Sequence, residues 1–521
     1  MTDTQAAGAA GAGGLLAKAS SAFERGLASL PEGRGQTVAV GVSGGVDSAV
    51  AAFLLKERGY DVVGVFMRNW DEGEEVGNQN CSVERDLRDA AAVCRQLGIP
   101  LHEADFVNKY WTQVFEDFLA QCSRGLTPNP DLACNRHIKF DALLDFATQL
   151  GAPLVATGHY ARLRHLGGPA GPAGPSGSSS VQLLRGADPE KDQTYFLASV
   201  QQESLQRVLF PVGGLRKAEV RQLALARGLV PTERRSSAGI CFIGRRNFAD
   251  FLAQYIPPLP GTFVSVDSGK ALGVCPNILT VTLGQRPGIG GAAERTYVAG
   301  KDMVNRVVYV CQGHDHPALL TRTALLRMPH WLSPQHQHLL AEQGFLRCQY
   351  KARYRQQLGG CTLVPAMLPA TAAAIGATGS CVTAGTCSHS SSSSSGGGYP
   401  SSSRWHEGEE HASTTAAAPA AAAGQPFQPS TYTRLLPQDE AVLPGYLVAL
   451  FDQPEWGVTP QQAFVVFDGE VCVGSALIAV PGKALQGDSE EEAARRRGDL
   501  ALGADTSVLA ATGTADTVPL L

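Results

Sequence analysis

The chain has 521 residues, enough for two or three domains. Hydrophobic residues make up 44% and support real cores, whereas charged residues reach only 17% because long Ala/Gly/Ser/Pro stretches dilute them. The formal net charge of −5 excludes a polyanion-binding field over the whole molecule, so any nucleic-acid contact must use local basic clusters. No apolar run reaches the roughly 18 residues of a membrane span, and a soluble monomer is expected. The twelve cysteines contain no Cys-x-x-Cys pair, which argues against a zinc ribbon, an iron–sulfur site or a secreted disulfide scaffold. A reducing compartment follows, with no metal held by protein ligands.

Residues 1–36 are Ala/Gly/Ser-rich and read as a flexible N-terminus, too acidic for a good transit peptide. From 37 to about 160 the pattern alternates between strand-like and helix-like segments. Strands are predicted at 37–42, 61–67, 101–105 and 153–157, and helices at 46–58, 82–97, 108–124 and 135–150. This rhythm implies a parallel sheet covered on both faces, with ligands outside the carboxyl ends of its strands. Between the first strand and helix stands Gly41-Val42-Ser43-Gly44-Gly45-Val46-Asp47-Ser48. Unpaired backbone N–H groups and the helix dipole attract anions there, the glycines let the backbone close on an oxyanion, and Ser43 and Ser48 add hydroxyls. No lysine follows, so this is not the Gly-x4-Gly-Lys loop of γ-phosphate transfer.

Residues 125–140 hold Thr127-Pro-Asn129-Pro130-Asp131, then Cys134 with Arg136 and Lys139. The prolines stiffen a loop that delivers Asp131 and Cys134 to the start of a helix, where a thiol becomes nucleophilic. A buried structural cysteine is the other reading, and the rigid polar loop before it weighs against that one. The strand at 153–157 ends in Ala156-Thr-Gly158-His159-Tyr160, where Gly158 permits close approach of a nucleotide and His159 reads as a satisfied core histidine. Residues 167–180 form a Gly/Pro/Ser insertion, and an amphipathic helix is predicted at 216–227. Cys241 lies between Gly239 and Gly244, with Arg234, Arg235, Arg245 and Arg246 around it. A thiolate or persulfide site and a buried strand cysteine are equally good readings of that stretch alone. Beyond 245, short β-rich runs at 262–266, 278–283, 306–311, 345–350, 446–451, 463–467 and 470–478 suggest small sheets or a barrel. A polar block at 366–444 and the tail after 480 read as disordered.

Several words in this chain resemble the tRNA-specific 2-thiouridylase family. They are the Ser-Gly-Gly-Val-Asp-Ser loop, Val65-Phe-Met67-Arg-Asn-Trp70, the segment Thr127 to Cys134, Ala156 to Tyr160, Lys191-Asp192-Gln193 and Gly239 to Gly244. Leu283-Gly-Gln-Arg286, Gln312 to Pro317, Lys351 to Gln356, Val458 to Gln462 and Phe467 to Gly474 continue the match in order. The stretches Ser236 to Ala238 and Gly273 to Thr282 depart from the family pattern. The resemblance implies an α/β fold: a parallel-sheet ATP-pyrophosphatase domain (adenine nucleotide alpha hydrolase-like) over 37–244, a small central β-rich domain over 245–312 and a C-terminal β-barrel over 313–480. It implies an enzyme that adenylates the C2 oxygen of the tRNA wobble uridine and replaces it with sulfur. Gly41 to Ser48, Met67 and Gly158 would then bind ATP, accompanied by Mg²⁺. Asn129, Pro130, Asp131, Lys191, Asp192, Gln193, Arg353 and Tyr354 would contact tRNA. Cys134 would be the nucleophile and Cys241 the persulfide carrier, with Asp131 assisting proton transfer.

Lys351, Arg353 and Arg355 would share one strand face and hold phosphates. The implied partners are tRNA, a persulfide sulfur-donor protein and a thiol reductant. The compartment is a mitochondrion or other organelle in a eukaryote and the cytoplasm otherwise. Two other functions share the loop: a ligase adenylating a different acceptor, which needs no cysteine pair, and a non-catalytic ATP- or tRNA-binding relative.

Overall fold

The computed structural model describes residues 18–70, 82–166, 180–229, 242–243, 246–290, 294–366 and 445–482. Cys241, the stretch 236–238, Arg234, Arg235, Arg245, most of the two insertions (167–179 and 367–444) and the tail from 483 lie outside the described residues.

Five strands form an all-parallel sheet in the order β3 (Leu101–Asp105), β2 (Asp61–Arg68), β1 (Thr37–Gly41), β4 (Leu154–Ala156) and β7 (Val208–Leu209). The period-2 alternation of a strand explains its two cores. Val38, Val40, Leu154 and Ala156 pack with helix α2 (Val46–Glu57), while Ala39, Val65 and Val155 face the opposite layer. Strand order reverses at β1, which pairs with β2 on one side and β4 on the other. The loops after β1 and β4 therefore border the crevice where such sheets bind ligands.

Part of the N-terminus expected to be flexible is ordered. Residues 18–28 form a helix (α1) with Ala19 and Ala22 buried. Phe23 meets Phe53 at 5.7 Å, and a Cβ on Gly26 would touch both Leu54 methyls at 3.1 Å. Low side-chain bulk, which reads as disorder in composition, here allows close helix–helix approach.

After α3 (Ser82–Leu97), two longer helices each contain a π-turn. The first, α4, runs through Val107–Tyr110, Trp111–Phe115 and Glu116–Ser123, with the π-turn in the middle segment. The second, α5, runs through Pro130–Ala133, Cys134–Ala142 and Leu143–Gln149. It begins five residues before the expected 135, because Pro130 suits a first helical position and the Asn129 side chain accepts from the Asp131 N–H at 3.2 Å. The amphipathic helix α6 (Lys217–Ala226) closes the catalytic layer.

The hairpin of β5 (Ala161–Leu166) and β6 (Ser180–Arg185) was not legible in the sequence. It brackets the Gly/Pro insertion and pairs through Leu183 and Leu184 with strand β17 (Val471–Pro481). The catalytic segment thus extends the C-terminal sheet. That sheet closes on itself as a six-stranded barrel in the order β12 (Leu320–Trp331), β15 (Leu447–Trp456), β14 (Gly359–Pro365), β13 (Leu346–Lys351), β16 (Ala463–Asp468) and β17, which pairs back to β12. Pro365 is directly opposite Leu447, so residues 366–446 leave and re-enter the barrel at one point. A long insertion is tolerated at such a place.

The central layer has the order β10 (Thr296–Asp302), β11 (Val307–Gln312), β8 (Gly261–Ser265) and β9 (Ala271–Cys275). The strand expected at 278–283 is a 3₁₀ turn at Ile278–Thr280 instead. The Asn277 side chain accepts from both Leu279 N–H and Leu259 N–H, which competes with a sheet ladder.

Buried charge ties the catalytic segment to the barrel. Asp192, expected to face tRNA, is only 2% exposed. Its carboxylate accepts from Gly186 N–H, Thr194 N–H, Thr194 Oγ1 at 2.6 Å and Arg185 Nε at 3.1 Å, with Lys351 Nζ 3.6 Å away. Such a group fixes the loop carrying Lys191 and Gln193. Lys301 of β10 is buried and donates to the Val281 carbonyl at 2.7 Å. Burial pulls its ammonium down to about 8.

Replacing Asp192 by Ala strands Lys351 as a buried charge, so denaturant unfolding should show a loss of about 3–5 kcal/mol. A change confined to tRNA affinity would contradict this assignment. For Lys301, the unfolded chain holds the proton above pH 8 and the folded one releases it, so stability rises with pH up to the ordinary lysine value. Relative to Lys301→Met, the parent chain should gain on the order of 3 kcal/mol between pH 8 and 10.5. Unfolding curves at the two pH values measure it, and a pH-independent difference refutes it.

Candidate functional site

The loop after β1 is organised by its own side chains. Ser48 Oγ accepts from the Ser43 N–H at 3.2 Å, lies 3.4 Å from Ser43 Oγ and donates to the Gly45 carbonyl at 3.0 Å. Gly44 takes the left-handed conformation at φ +69°, and Gly45 is the extended N-cap of α2. A Cβ on Gly45 would meet only Ser43 Oγ at 3.4 Å, so the space ahead of the loop is open. Val42 and Val46 are buried beneath it, and the Val42 N–H bonds the Val65 carbonyl at 2.8 Å. Met67 adjoins the start of the loop, its Cε 3.4 Å from where a Gly41 Cβ would be.

Gly158 is required by crowding. A Cβ there would lie 2.8 Å from the Asp47 carbonyl carbon and 2.9 Å from the Ser48 nitrogen. The loops after β1 and β4 are thereby pressed together, and Tyr160 can donate its phenol proton to Asp47 Oδ1 at 2.7 Å. Burial and the Asp47 carboxylate keep that phenol protonated. His159 is buried, holds Thr157 Oγ1 at 2.7 Å and stays neutral because burial, and then Lys139, push its pKa well down. It is the satisfied histidine the sequence suggested.

One member of this site escaped sequence reasoning. Lys217, 170 residues after Asp47, places Nζ 2.6 Å from both Asp47 carboxylate oxygens. Its position at the start of α6 carries no motif; only the amphipathic helix behind it was visible.

The second part of the site is the 127–142 segment. Asp131 stands at the helix start, and burial raises its pKa while Lys139 opposes the rise. Cys134 opens the π-turn one helical turn further in, and it is 4% exposed. It shares a core cluster with Trp70, Phe106, Tyr110 and Phe115, and with Phe242 and Ile243, the residues that follow Cys241 in the chain. Phe242 lies 5.5 Å from Trp70 and 5.2 Å from Phe115 and Phe118. Arg246 donates to the Phe242 and Ile243 carbonyls.

The barrel and the central layer both reach this segment. Gln462 Nε2 donates to the Thr127 carbonyl at 2.6 Å, and Thr282 Oγ1 lies 3.3 Å from Thr127 Oγ1. Asn135, next to Cys134, donates to the Phe196 carbonyl at 3.0 Å, and the Phe196 ring packs on Tyr354 at 4.4 Å. Gln193 exchanges hydrogen bonds with the Tyr160 backbone, its side chain accepting from the Tyr160 N–H at 2.9 Å. Lys191, Gln193, Arg353 and Tyr354 are half-buried, as is Asn129, whereas Pro130 is buried.

The expectation that Lys351, Arg353 and Arg355 share a strand face is overturned. Strand β13 stops at Lys351, which turns inward to Asp192, and the chain then bends. Arg353 is held by Glu455 and by the Trp456 carbonyl, both at 2.6 Å, and of the three only Arg355 is exposed. Among the described residues, no group of three His, Cys, Asp or Glu side chains is arranged to hold a metal ion, and no helix is long and apolar enough to cross a membrane.

Residues 36–245 match the family described as tRNA methyl transferase HUP domain, residues 249–312 its PRC-barrel domain and residues 442–478 an aminomethyltransferase beta-barrel domain. The relatives carry a different activity in their names. The tRNA-specific 2-thiouridylase MnmA of Pseudomonas paraeruginosa is 39% identical over 456 residues, covering 86% of this chain and 96% of that protein. Its counterpart from Pectobacterium carotovorum is 45% identical over 335 residues, covering 63% of this chain and 86% of the relative. The mitochondrial tRNA-specific 2-thiouridylase 1 of Drosophila melanogaster is 46% identical over 330 residues, covering 63% and 84%. Identity at this level across nearly the whole of a relative, with the loop and cysteine words in place, means that the chain belongs to the tRNA-specific 2-thiouridylase family.

Proposed function

We propose that this protein is a tRNA uridine 2-sulfurtransferase, converting the wobble uridine to 2-thiouridine at the expense of ATP and releasing AMP and pyrophosphate. The observation that carries the reading is the common core of Cys134 and Phe242, since one peptide bond tethers Cys241 to Phe242. A pair of thiols suits a reaction that passes sulfane sulfur from one cysteine and breaks the remaining bond with the other.

The chemistry follows from the substrate. A uridine C2 oxygen leaves poorly until the α-phosphorus of ATP is attached to it and pyrophosphate departs. Gly41 to Ser48 and Gly158 shape the phosphate side of that site, and Met67 its adenine side. Mg²⁺ would accompany the triphosphate as its counterion. The outer sulfur of a Cys241 persulfide then attacks C2, and AMP leaves with the former C2 oxygen. The Cys134 thiolate attacks Cys241 Sγ, the sulfur–sulfur bond breaks, and 2-thiouridine is freed. A Cys134–Cys241 disulfide remains, and an external thiol returns two electrons to it. Asp131, whose carboxyl holds its proton more tightly than usual because it is buried, exchanges a proton with the base.

Asn129, Pro130, Lys191, Gln193, Arg353 and Tyr354 would receive the tRNA, with Asp192 holding its neighbours from beneath. A persulfide-bearing donor protein supplies the sulfur, and a monomer suffices for the chemistry. With a mitochondrial enzyme among the named relatives, we place this one in an organelle if the source is eukaryotic and in the cytoplasm otherwise.

Cys134→Ser and Cys241→Ser should each abolish 2-thiouridine formation while leaving ATP affinity within about twofold of the parent. Nucleoside mass spectrometry of reacted tRNA provides the readout. Full thiolation by either variant would remove that cysteine from the sulfur transfer. Asp131→Asn should lower kcat by about 10²–10⁴ and remove the acidic limb of the pH–rate profile. An unchanged limb would assign that proton transfer elsewhere.

A further inference from the structure

We propose that Lys217 is the cation that binds the β,γ-pyrophosphate of ATP, supplied from a distant helix to a loop that has none of its own, and parked on Asp47 until the nucleotide arrives. The proposal rests on the nucleotide reading above and adds a residue to it.

The loop Ser43 to Ser48 offers hydroxyl and backbone donors but no positive side chain. Its only charged member, Asp47, is an acid in the first turn of α2. That carboxylate is favourable for the helix dipole and unfavourable for an incoming triphosphate. Lys217 resolves the conflict. Its Nζ lies 2.6 Å from Asp47 Oδ1 and 2.6 Å from Oδ2, so the loop carries no net charge from this pair.

The placement is built from several directions. The Lys217 backbone N–H donates to Asp188 Oδ2 at 2.9 Å, which fixes the start of α6. The Tyr160 phenol donates to the same Asp47 oxygen at 2.7 Å, and the ammonium lies 5.8 Å from the centre of the Tyr160 ring. Gly158 allows this convergence by letting the loop after β4 press against Asp47. The Lys217 side chain is 15% exposed, so it is held but not sealed in. An ammonium on a flexible four-carbon stem can turn from a carboxylate to a phosphate oxygen nearby, and its charge stabilises pyrophosphate as it departs from the α-phosphorus.

The test compares nucleotides that differ only in the pyrophosphate. Equilibrium dialysis of the full chain with ATP and with AMP, both with Mg²⁺, measures the two affinities, and filter binding measures tRNA affinity. Lys217→Ala should weaken ATP at least ~10-fold while AMP and tRNA stay within about twofold, and Lys217→Arg should recover part of the ATP loss. Lys217→Gln, which keeps a hydrogen bond to Asp47 without the charge, gives the same comparison should the alanine variant not fold. Equal losses for ATP and AMP would mean that Lys217 only braces the loop, and no loss for ATP would remove it from the site; either result overturns the proposal. A parent chain that binds no ATP would overturn the nucleotide reading itself.

Discussion

Everything at the candidate site depends on how Thr127 is gripped. Its carbonyl accepts from Gln462 of the barrel and its hydroxyl meets Thr282 of the central layer. The two residues behind it in the chain are a proline and Asn129, whose side chain caps the helix that carries Asp131 and Cys134. A loop with few backbone bonds of its own is thus immobilised by two layers that are remote in sequence. Neither contact is strong alone, each being worth about 1 kcal/mol. Their value is positional, because a reacting group misplaced by an ångström would lose most of its advantage.

Desolvation sets the electrostatic character of the site. Asp131 and His159 are both pushed toward their neutral forms by burial, with Lys139 acting on each. Asp192 and Asp47 remain compensated by cations brought from other elements, Arg185 and Lys351 for one and Lys217 for the other. The Asp192 carboxylate is buried, and the cost of leaving its charge unpaired calls for those cations. These pairs couple the loop after β1, the turn at Asp188 to Gln193 and the barrel into one framework. Tyr160 belongs to both halves, since its hydroxyl meets Asp47 and its backbone bonds Gln193.

Much of the catalytic layer was legible from residues alone. Strands β1, β2, β3 and β4 and helices α2 and α3 lie where their apolar periodicity put them, because a parallel sheet buried on both faces leaves a strong pattern. The failures have physical causes. The 18–28 helix is Ala- and Ser-rich and looked disordered, although small side chains are what let it dock on Leu54. The β5–β6 hairpin is short and split by an insertion, so its strands only make sense beside β17. Strands β9, β10, β12 and β14 lack a clean alternation, since a small closed barrel and a thin central sheet draw stability from closure more than from one apolar face.

By itself, then, the chain's order of residues determined the phosphate-type loop, the stiff segment ahead of Cys134 and the presence of a second thiol in an arginine-rich stretch. Those are local features, dictated by glycine conformation, proline rigidity and helix ends over a few residues. Only the tertiary structure decided which distant groups complete them. It brought Lys217 to Asp47, turned Lys351 and Asp192 inward as a buried pair and set Phe242 in the same core as Cys134. Pairing of charges and packing of aromatic rings are properties of contacts across the fold, and no short stretch of sequence encodes its partner.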